Sequence, residues 1–117
     1  MEAKELMIGD WVDYRDKYIQ VTSLYDKGGS NEIGWGDKES TWVNGRTIKP
    51  IPLTKEILQT NGILYQWGSP WFQHTDNYEV EFEVHFTYNC HAVLRYVHEL
   101  QHALRLFKIK KEIILNL

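Results

Sequence analysis

Apolar and polar residues alternate most clearly between Tyr78 and Phe86. Tyrosine, valine and phenylalanine occupy every second position, and the positions between them hold three glutamates and His85. Successive side chains of a strand point to opposite faces of a sheet, so this pattern predicts a strand with one buried face and one solvated face. An acidic face can bind a cation or a basic partner, but we favour a solvated face whose negative charge discourages edge-to-edge pairing of sheets.

A helical period follows the predicted strand. Asn89 is a suitable N-cap, and the pattern predicts a long helix from Cys90 to Phe107 that packs on the strand from Tyr78 to Phe86. At about 100° per residue, one side of this helix is apolar. That side consists of Val93, Tyr96, Val97, Leu100, Leu104 and Phe107. The apolar run from Glu112 to Leu117 predicts a short final strand.

The first part of the chain has short β-like segments separated by turn signals, and Asn44-Gly45 favours a tight hairpin. The predicted strands are Trp11 to Tyr14, Lys17 to Tyr25, Glu32 to Trp35, Ser40 to Val43 and Arg46 to Ile51. Short strands at this spacing, opened by Ile-Gly-Asp-Trp-Val, predict a small curled β-barrel of the SH3-like type. This expectation concerns the fold alone, because such barrels have many unrelated functions.

Thr54 predicts the start of a short helix, Lys55 to Asn61, which Gly62 ends. A strand from Ile63 to Trp67 and a loop from Trp71 to Asn77 follow. We therefore predict one α+β domain over residues 1–117. Its β-barrel-like part covers residues 1–53, and its α+β part, with an antiparallel strand pair, covers residues 54–117.

Composition narrows the functional classes. The net charge of −3 disfavours a broad nucleic-acid surface, and the single cysteine, Cys90, excludes an intramolecular disulfide framework. The N-terminus has neither a signal-peptide pattern nor an apolar membrane-spanning run, so we expect a cytoplasmic protein. A weaker alternative is nucleic-acid binding through the aromatic barrel and the lysines between Lys108 and Lys111.

The predicted long helix contains the H-E-x-x-H signature of zinc metalloproteases. In this interpretation His98 and His102 are zinc ligands, Glu99 is the general base, and His85 or Glu83 supplies the third ligand. This zinc-dependent hydrolase is the alternative hypothesis. Our first expectation is that the protein has no cofactor and is not an enzyme.

Several positions disfavour the zinc site. On a helix from Cys90, the histidines lie opposite the apolar side, so we expect them to be solvated unless a second layer covers that side. His91 lies about 10 Å along that helix from His98, too far for one coordination sphere. Arg95 and Arg105 lie near the same side, and positive charge disfavours a cation. A short motif with two free positions also arises easily by chance.

Three segments together resemble a group of small proteins from Bacteroidetes genomes, prophages and mobile elements that has no assigned activity. They are Ala3 to Val12, Ile48 to Thr54 and Tyr96 to His102. The helix pattern of that group is similar to V-H-Q-L-Q-N. Glu99 and His102 depart from it, which weakens the protease interpretation. The resemblance directs attention to His98 and Gln101, whose side chains can anchor a neighbouring segment.

These observations favour a non-enzymatic binding or accessory protein of a phage or mobile element. We expect its partner to be a protein, because the net charge is acidic and because Trp71 and Phe72 are predicted to be exposed in a loop. Trp71, Phe72, His98 and Gln101 are the predicted binding residues. The sequence identifies neither the partner nor the oligomeric state.

Overall fold

The structure is a computed structural model, and it describes residues 1–25, 31–36, 41–66, 70–77, 80–87 and 90–115. The chain divides into two compact units, Met1–Ile51 and Pro52–Leu117. The expectation of a single domain over residues 1–117 stays a prediction. Among the described residues, no helix is both long enough and apolar enough to span a membrane.

The N-terminal unit consists of short antiparallel strands. Its strands are β1 (Trp11–Tyr14), β2 (Lys17–Gln20), β3 (Ser23–Tyr25), β4 (Glu32–Trp35), β5 (Thr41–Asn44) and β6 (Ile48–Lys49). Two short 3-10 helices, Ala3–Glu5 and Gly45–Thr47, accompany them. The strands form two three-stranded sheets, with the orders β2-β1-β6 and β3-β4-β5.

Local chemistry explains the turn between β1 and β2. Arg15 and Asp16 both have positive φ, 51° and 65°, as the tight turns of two-residue hairpins require. The Asp13 carboxylate accepts a hydrogen bond from the Asp16 N–H at 2.9 Å, which holds the turn. The hydrophobic core of this unit consists of Ala3, Leu6, Val12, Ile19, Val21, Ile33 and Ile48.

The predicted α+β class with an SH3-like barrel is wrong, because the described residues form mainly strands in three sheets and one helix of ten residues. The strands form separate sheets, and no ladder between the described strands closes them into a barrel. The hairpin predicted at Asn44-Gly45 is also wrong. The Asn44 side chain accepts a hydrogen bond from the Arg46 N–H at 2.9 Å and caps the 3-10 helix Gly45–Thr47 instead. Asparagine serves both turns and caps, so the local signal was ambiguous.

The C-terminal unit combines two α-helices with one sheet. Its elements are α1 (Lys55–Thr60), β7 (Leu64–Tyr65), β8 (Trp71–His74), β9 (Phe82–Thr87), β10 (Cys90–Leu94) and α2 (Val97–Leu106). The strand order is β10-β9-β8-β7. The β7–β8 pair is parallel, and the other pairs are antiparallel.

Alternation along β9 gives this sheet a buried face and a more exposed face. Phe82, Val84 and Phe86 are at most 3% exposed, whereas Glu83 and His85 between them are half-buried. Phe72 on β8 is a register partner of Val84 and lies on the buried face. The inner face of the sheet is therefore part of the core of this unit.

Helix α2 contributes a second buried surface. Val97, Leu100 and Leu104 are at most 1% exposed, as the helical period predicted. His98 and Gln101 are also buried, at 9% and 7% exposure. The predicted solvation of the histidine side of the helix is therefore wrong for His98.

The predicted long helix from Cys90 to Phe107 is wrong in its first part. Residues 90–94 form strand β10, and the helix has only ten residues. Val93, which the helical period placed in the core, is 53% exposed. A short apolar run fits both a helix and a strand, and pairing with β9, remote from any local signal, selects the strand. Asn89, the predicted N-cap, lies outside the described residues.

Three smaller predictions also need correction. Residues 71–74 of the predicted loop form β8, and the described residues after α2, which end at Leu115, contain no strand. The strand predicted from Tyr78 begins at Phe82, and Tyr78 and Glu79 lie outside the described residues. The prediction for α1 is confirmed, since the Thr54 hydroxyl accepts a hydrogen bond from the Ile57 N–H at 3.1 Å.

We expect Leu100→Ala to lower the free energy of unfolding by about 2–5 kcal/mol, because it removes a fully buried side chain and leaves a cavity. Urea denaturation measures the change. Leu106→Ala on the same helix is the matched control, since Leu106 is 75% exposed, and its effect should stay within about 0.5 kcal/mol. Equal effects of the two substitutions would contradict the described orientation of α2.

Candidate functional site on the outer face of the C-terminal sheet

A group of aromatic and polar side chains lies on the face of the sheet opposite its buried face. We call it the outer-face cluster, and it consists of Trp71, Gln73, Glu83, His85 and His91. The antiparallel registers pair Trp71 with His85 and His85 with His91. Gln73 is likewise opposite Glu83. Side chains directly opposite each other in neighbouring strands share a face, so the register brings the cluster together.

Three rings of the cluster form a row across three strands. The indole of Trp71 and the imidazole of His85 are parallel to within 1°, and their centroids are 3.9 Å apart. The His85 and His91 rings follow at 5.1 Å with an angle of 29°. His91 has 53% of its side chain exposed, whereas His85 has 20%. The row therefore begins at a half-buried indole and ends at an exposed imidazole.

Glu83 is the centre of the polar contacts. Its Oε2 accepts a hydrogen bond from the Gln73 side-chain amide. Its Oε1 lies 3.3 Å from His91 Nε2, and its Oε2 lies 3.8 Å from His85 Nε2. One carboxylate thus contacts both imidazoles and an amide. This arrangement fixes side chains of three neighbouring strands, β8, β9 and β10, relative to one another.

A second polar group lies next to the cluster in the chain. Glu81 Oε1 accepts hydrogen bonds from the guanidinium of Arg95 and, at 2.7 Å, from the Asn77 amide. The hydrogen bond from Arg95 lowers the pKa of Glu81 and raises that of Arg95, and the bond from Asn77 also lowers the Glu81 pKa. The Arg95 side chain is 54% exposed, so water screens the pair and limits its contribution to stability.

The H-E-x-x-H residues, His98 to His102, lie in the first two turns of α2. Glu99 Oε1 accepts hydrogen bonds from the backbone N–H groups of Arg95, at 2.9 Å, and Tyr96, at 3.0 Å. It therefore occupies the N3 position of a capping arrangement at the start of α2. The rings of His98 and His102 are 5.6 Å apart and nearly perpendicular. In this geometry Glu99 stabilises the helix terminus through its carboxylate.

The residues proposed as additional zinc ligands lie on the sheet. His85 and Glu83, the two candidates for the third ligand, belong to β9, and the Glu83 carboxylate contacts both His85 and His91 of β10. Within the described ranges, no group of three His, Cys, Asp or Glu side chains could hold a metal ion.

The predicted binding residues occupy different environments. Trp71 is half-buried on the outer face. Phe72 is completely buried, so its expected exposure is wrong, because the two residues lie on a strand and point to opposite faces. His98 and Gln101 are buried polar side chains of α2, and the Tyr96 ring lies 5.9 Å from that of His98. Gln73 and His91 were not predicted as neighbours of Trp71, because residues 71–74, Trp-Phe-Gln-His, show no apolar–polar alternation and the cross-strand registers alone bring these side chains together.

The chain matches no protein-family model, no curated protein and no solved structure. The function is therefore inferred from the geometry of the chain itself.

Because Glu99 caps α2, Glu99→Ala should lower the free energy of unfolding by about 1 kcal/mol. Glu99→Gln is the control, since a glutamine at N3 can still accept the backbone hydrogen bonds, and it should remain within about half of that loss. Thermal or urea unfolding measures both variants. If Glu99→Ala is as stable as the parent protein, the capping role is wrong.

The Arg95–Glu81 contact predicts a pH dependence. The pKa of Glu81 is lower in the folded than in the unfolded chain, so the stabilisation is present above the unfolded pKa and is lost as pH falls through the folded pKa. We expect a side-chain carboxyl NMR titration of Glu81 to have its midpoint below the usual glutamate value. Arg95→Ala should move that midpoint up, and an unchanged midpoint would contradict the contact.

Proposed function

We propose that this chain is a non-enzymatic binding or accessory protein that contacts a protein partner through the outer-face cluster. The observation that carries the proposal is the ring row of Trp71, His85 and His91, with Glu83 and Gln73 beside it. Tryptophan is enriched among residues that dominate binding energy at protein interfaces. A rigid row of rings also loses little conformational entropy when a partner binds.

The chemistry of the cluster favours recognition. The indole supplies apolar contact area, and the Glu83 carboxylate and the exposed His91 ring supply polar contacts at the side of it. Apolar side chains extend the surface on both edge strands, since Leu64 is 47% exposed and Val93 is 53% exposed. Such a surface, apolar and aromatic with polar groups around it, resembles the composition of protein interfaces.

A non-enzymatic role agrees with the environment of Glu99. Its carboxylate is engaged by two backbone N–H groups, and this engagement opposes its use as a general base. The resemblance of three segments to proteins from Bacteroidetes prophages and mobile elements supports an accessory role in such an element. We propose a cytoplasmic location on the same basis. In this proposal His98 and Gln101 have a structural role as buried side chains of α2, and Trp71 contacts the partner at the surface.

The test is quantitative affinity capture with the parent protein, Trp71→Ala and Trp42→Ala. Trp42 is 45% exposed in the N-terminal unit and provides the same substitution at a different surface. For a partner identified with the parent protein, we expect Trp71→Ala to raise Kd at least about tenfold, as truncation of an interface tryptophan does. Trp42→Ala should leave Kd unchanged.

Unfolding curves of the variants separate loss of binding from loss of fold, because Trp71 also stacks on His85. If the folded Trp71→Ala protein retains every partner with unchanged affinity, the proposed binding surface is wrong.

A further inference from the structure

Strand β10 lies at the end of the C-terminal sheet, next to the outer-face cluster. Across the described ranges, no strand pairs with its second edge. Alternate residues of an antiparallel strand direct their N–H and C=O groups to opposite sides, so β10 presents backbone donors and acceptors outward. Residues 91–94 pair regularly with β9, and the bulge between Cys90 and His91 lies at the start of the strand.

Edge strands of natural proteins are usually protected against pairing. Short length, lysine, proline and inward-pointing charge are the common devices. Several other described edges use some of them, since β6 and β7 have two residues each and β2 begins with Lys17. β10 has five residues, Cys-His-Ala-Val-Leu, without lysine, carboxylate or proline. It is the longest edge strand in the described part of the chain and lacks most of these protections.

We propose that the outer edge of β10 accepts an extended segment of a protein partner as an added strand. The inference rests on the proposed protein-binding function and specifies how the partner binds. Main-chain hydrogen bonds provide affinity in this mode, and alternate side chains provide specificity. The partner segment is extended, contains no proline at the paired positions, and presents a ring opposite His91.

Strand β9, which already pairs with β10, shows which kind of side chain fits opposite His91. On β9, His85 is directly opposite His91, and the two rings stack at 5.1 Å. The exposed second side of His91 can take a further ring in the same way and extend the row that begins at Trp71. Val93 lies two residues further on the same face and is 53% exposed, so an apolar side chain of the partner fits beside it.

Contacts of the segment that follows β10 limit the length of the added strand. Immediately after β10, the Leu53 N–H donates to the Arg95 carbonyl at 2.8 Å, and Pro52 forms a bridge with Tyr96. The added strand therefore pairs with residues 91–94 and does not continue beyond Arg95. Four residues are enough for a segment of about 13 Å.

The test uses a synthetic peptide with the sequence of Phe82–Thr87, a strand that already pairs with β10 in the folded chain. We expect the amide NMR signals of residues 91–94 to shift on titration to about 1 mM peptide, a range suited to weak association. A peptide with proline in place of the residue equivalent to Val84 should cause no shift. His91→Phe should retain binding, and His91→Lys should weaken it about tenfold by loss of the ring contact.

Three results would overturn the inference. The first is the absence of shifts at residues 91–94, and the second is equal binding of the proline peptide. The third is self-association of the free protein through these residues, since the occupant would then be a second copy. Trp71→Ala separates this inference from the proposed function, because Trp71 lies two strands from the β10 edge. If a Trp71→Ala protein binds the peptide and also keeps all its partners, the result contradicts the outer-face proposal and leaves the added strand at β10 supported.

Discussion

The burial of alternate side chains on β9 is the constraint on which the C-terminal unit depends. Phe82, Val84 and Phe86 are buried together on one face. Because side chains alternate along a strand, the residues between them must lie on the opposite face. That requirement fixes Glu83 and His85 on the outer face. A register slip of one residue would exchange the two sets, so the core also maintains the register that aligns Trp71, His85 and His91.

The same constraint separates residues that are adjacent in sequence. Trp71 and Phe72 form one dipeptide, but the first takes part in a surface ring row and the second is buried at the centre of the sheet. The Phe72 ring is 5.8 Å from that of Phe82, in an edge-on contact that fixes β8 against β9. The position of the candidate binding residue thus follows from the packing of its neighbour.

Much of the local structure could be predicted from the sequence. The alternation on β9, the cap at Thr54 and the apolar side of α2 at Val97, Leu100 and Leu104 depend on neighbours in the chain. The prediction failed where remote pairing decides the structure. The apolar positions of residues 90–94 also fit a helix. Backbone hydrogen bonds to β9 stabilise the strand more than an isolated helical turn would stabilise the helix.

The candidate site was predicted less completely than the fold, for the same reason. Trp71 was identified by its residue type, whereas Gln73 and His91 enter the site only through cross-strand registers. The H-E-x-x-H letters illustrate the opposite case. They are a local match, yet the Glu99 carboxylate binds backbone N–H groups at the start of α2, so a motif acquires its chemistry from its surroundings.

Three strands align Trp71, His85 and His91 in one row on the outer face of the sheet. A nuclear Overhauser experiment on the assigned side chains measures this alignment. We expect cross-peaks between the ring protons of Trp71 and His85 and between those of His85 and His91, with cross-strand contacts between residues 84 and 92. Absence of these cross-peaks, together with helical contacts between residues three apart from 90 to 96, would contradict it.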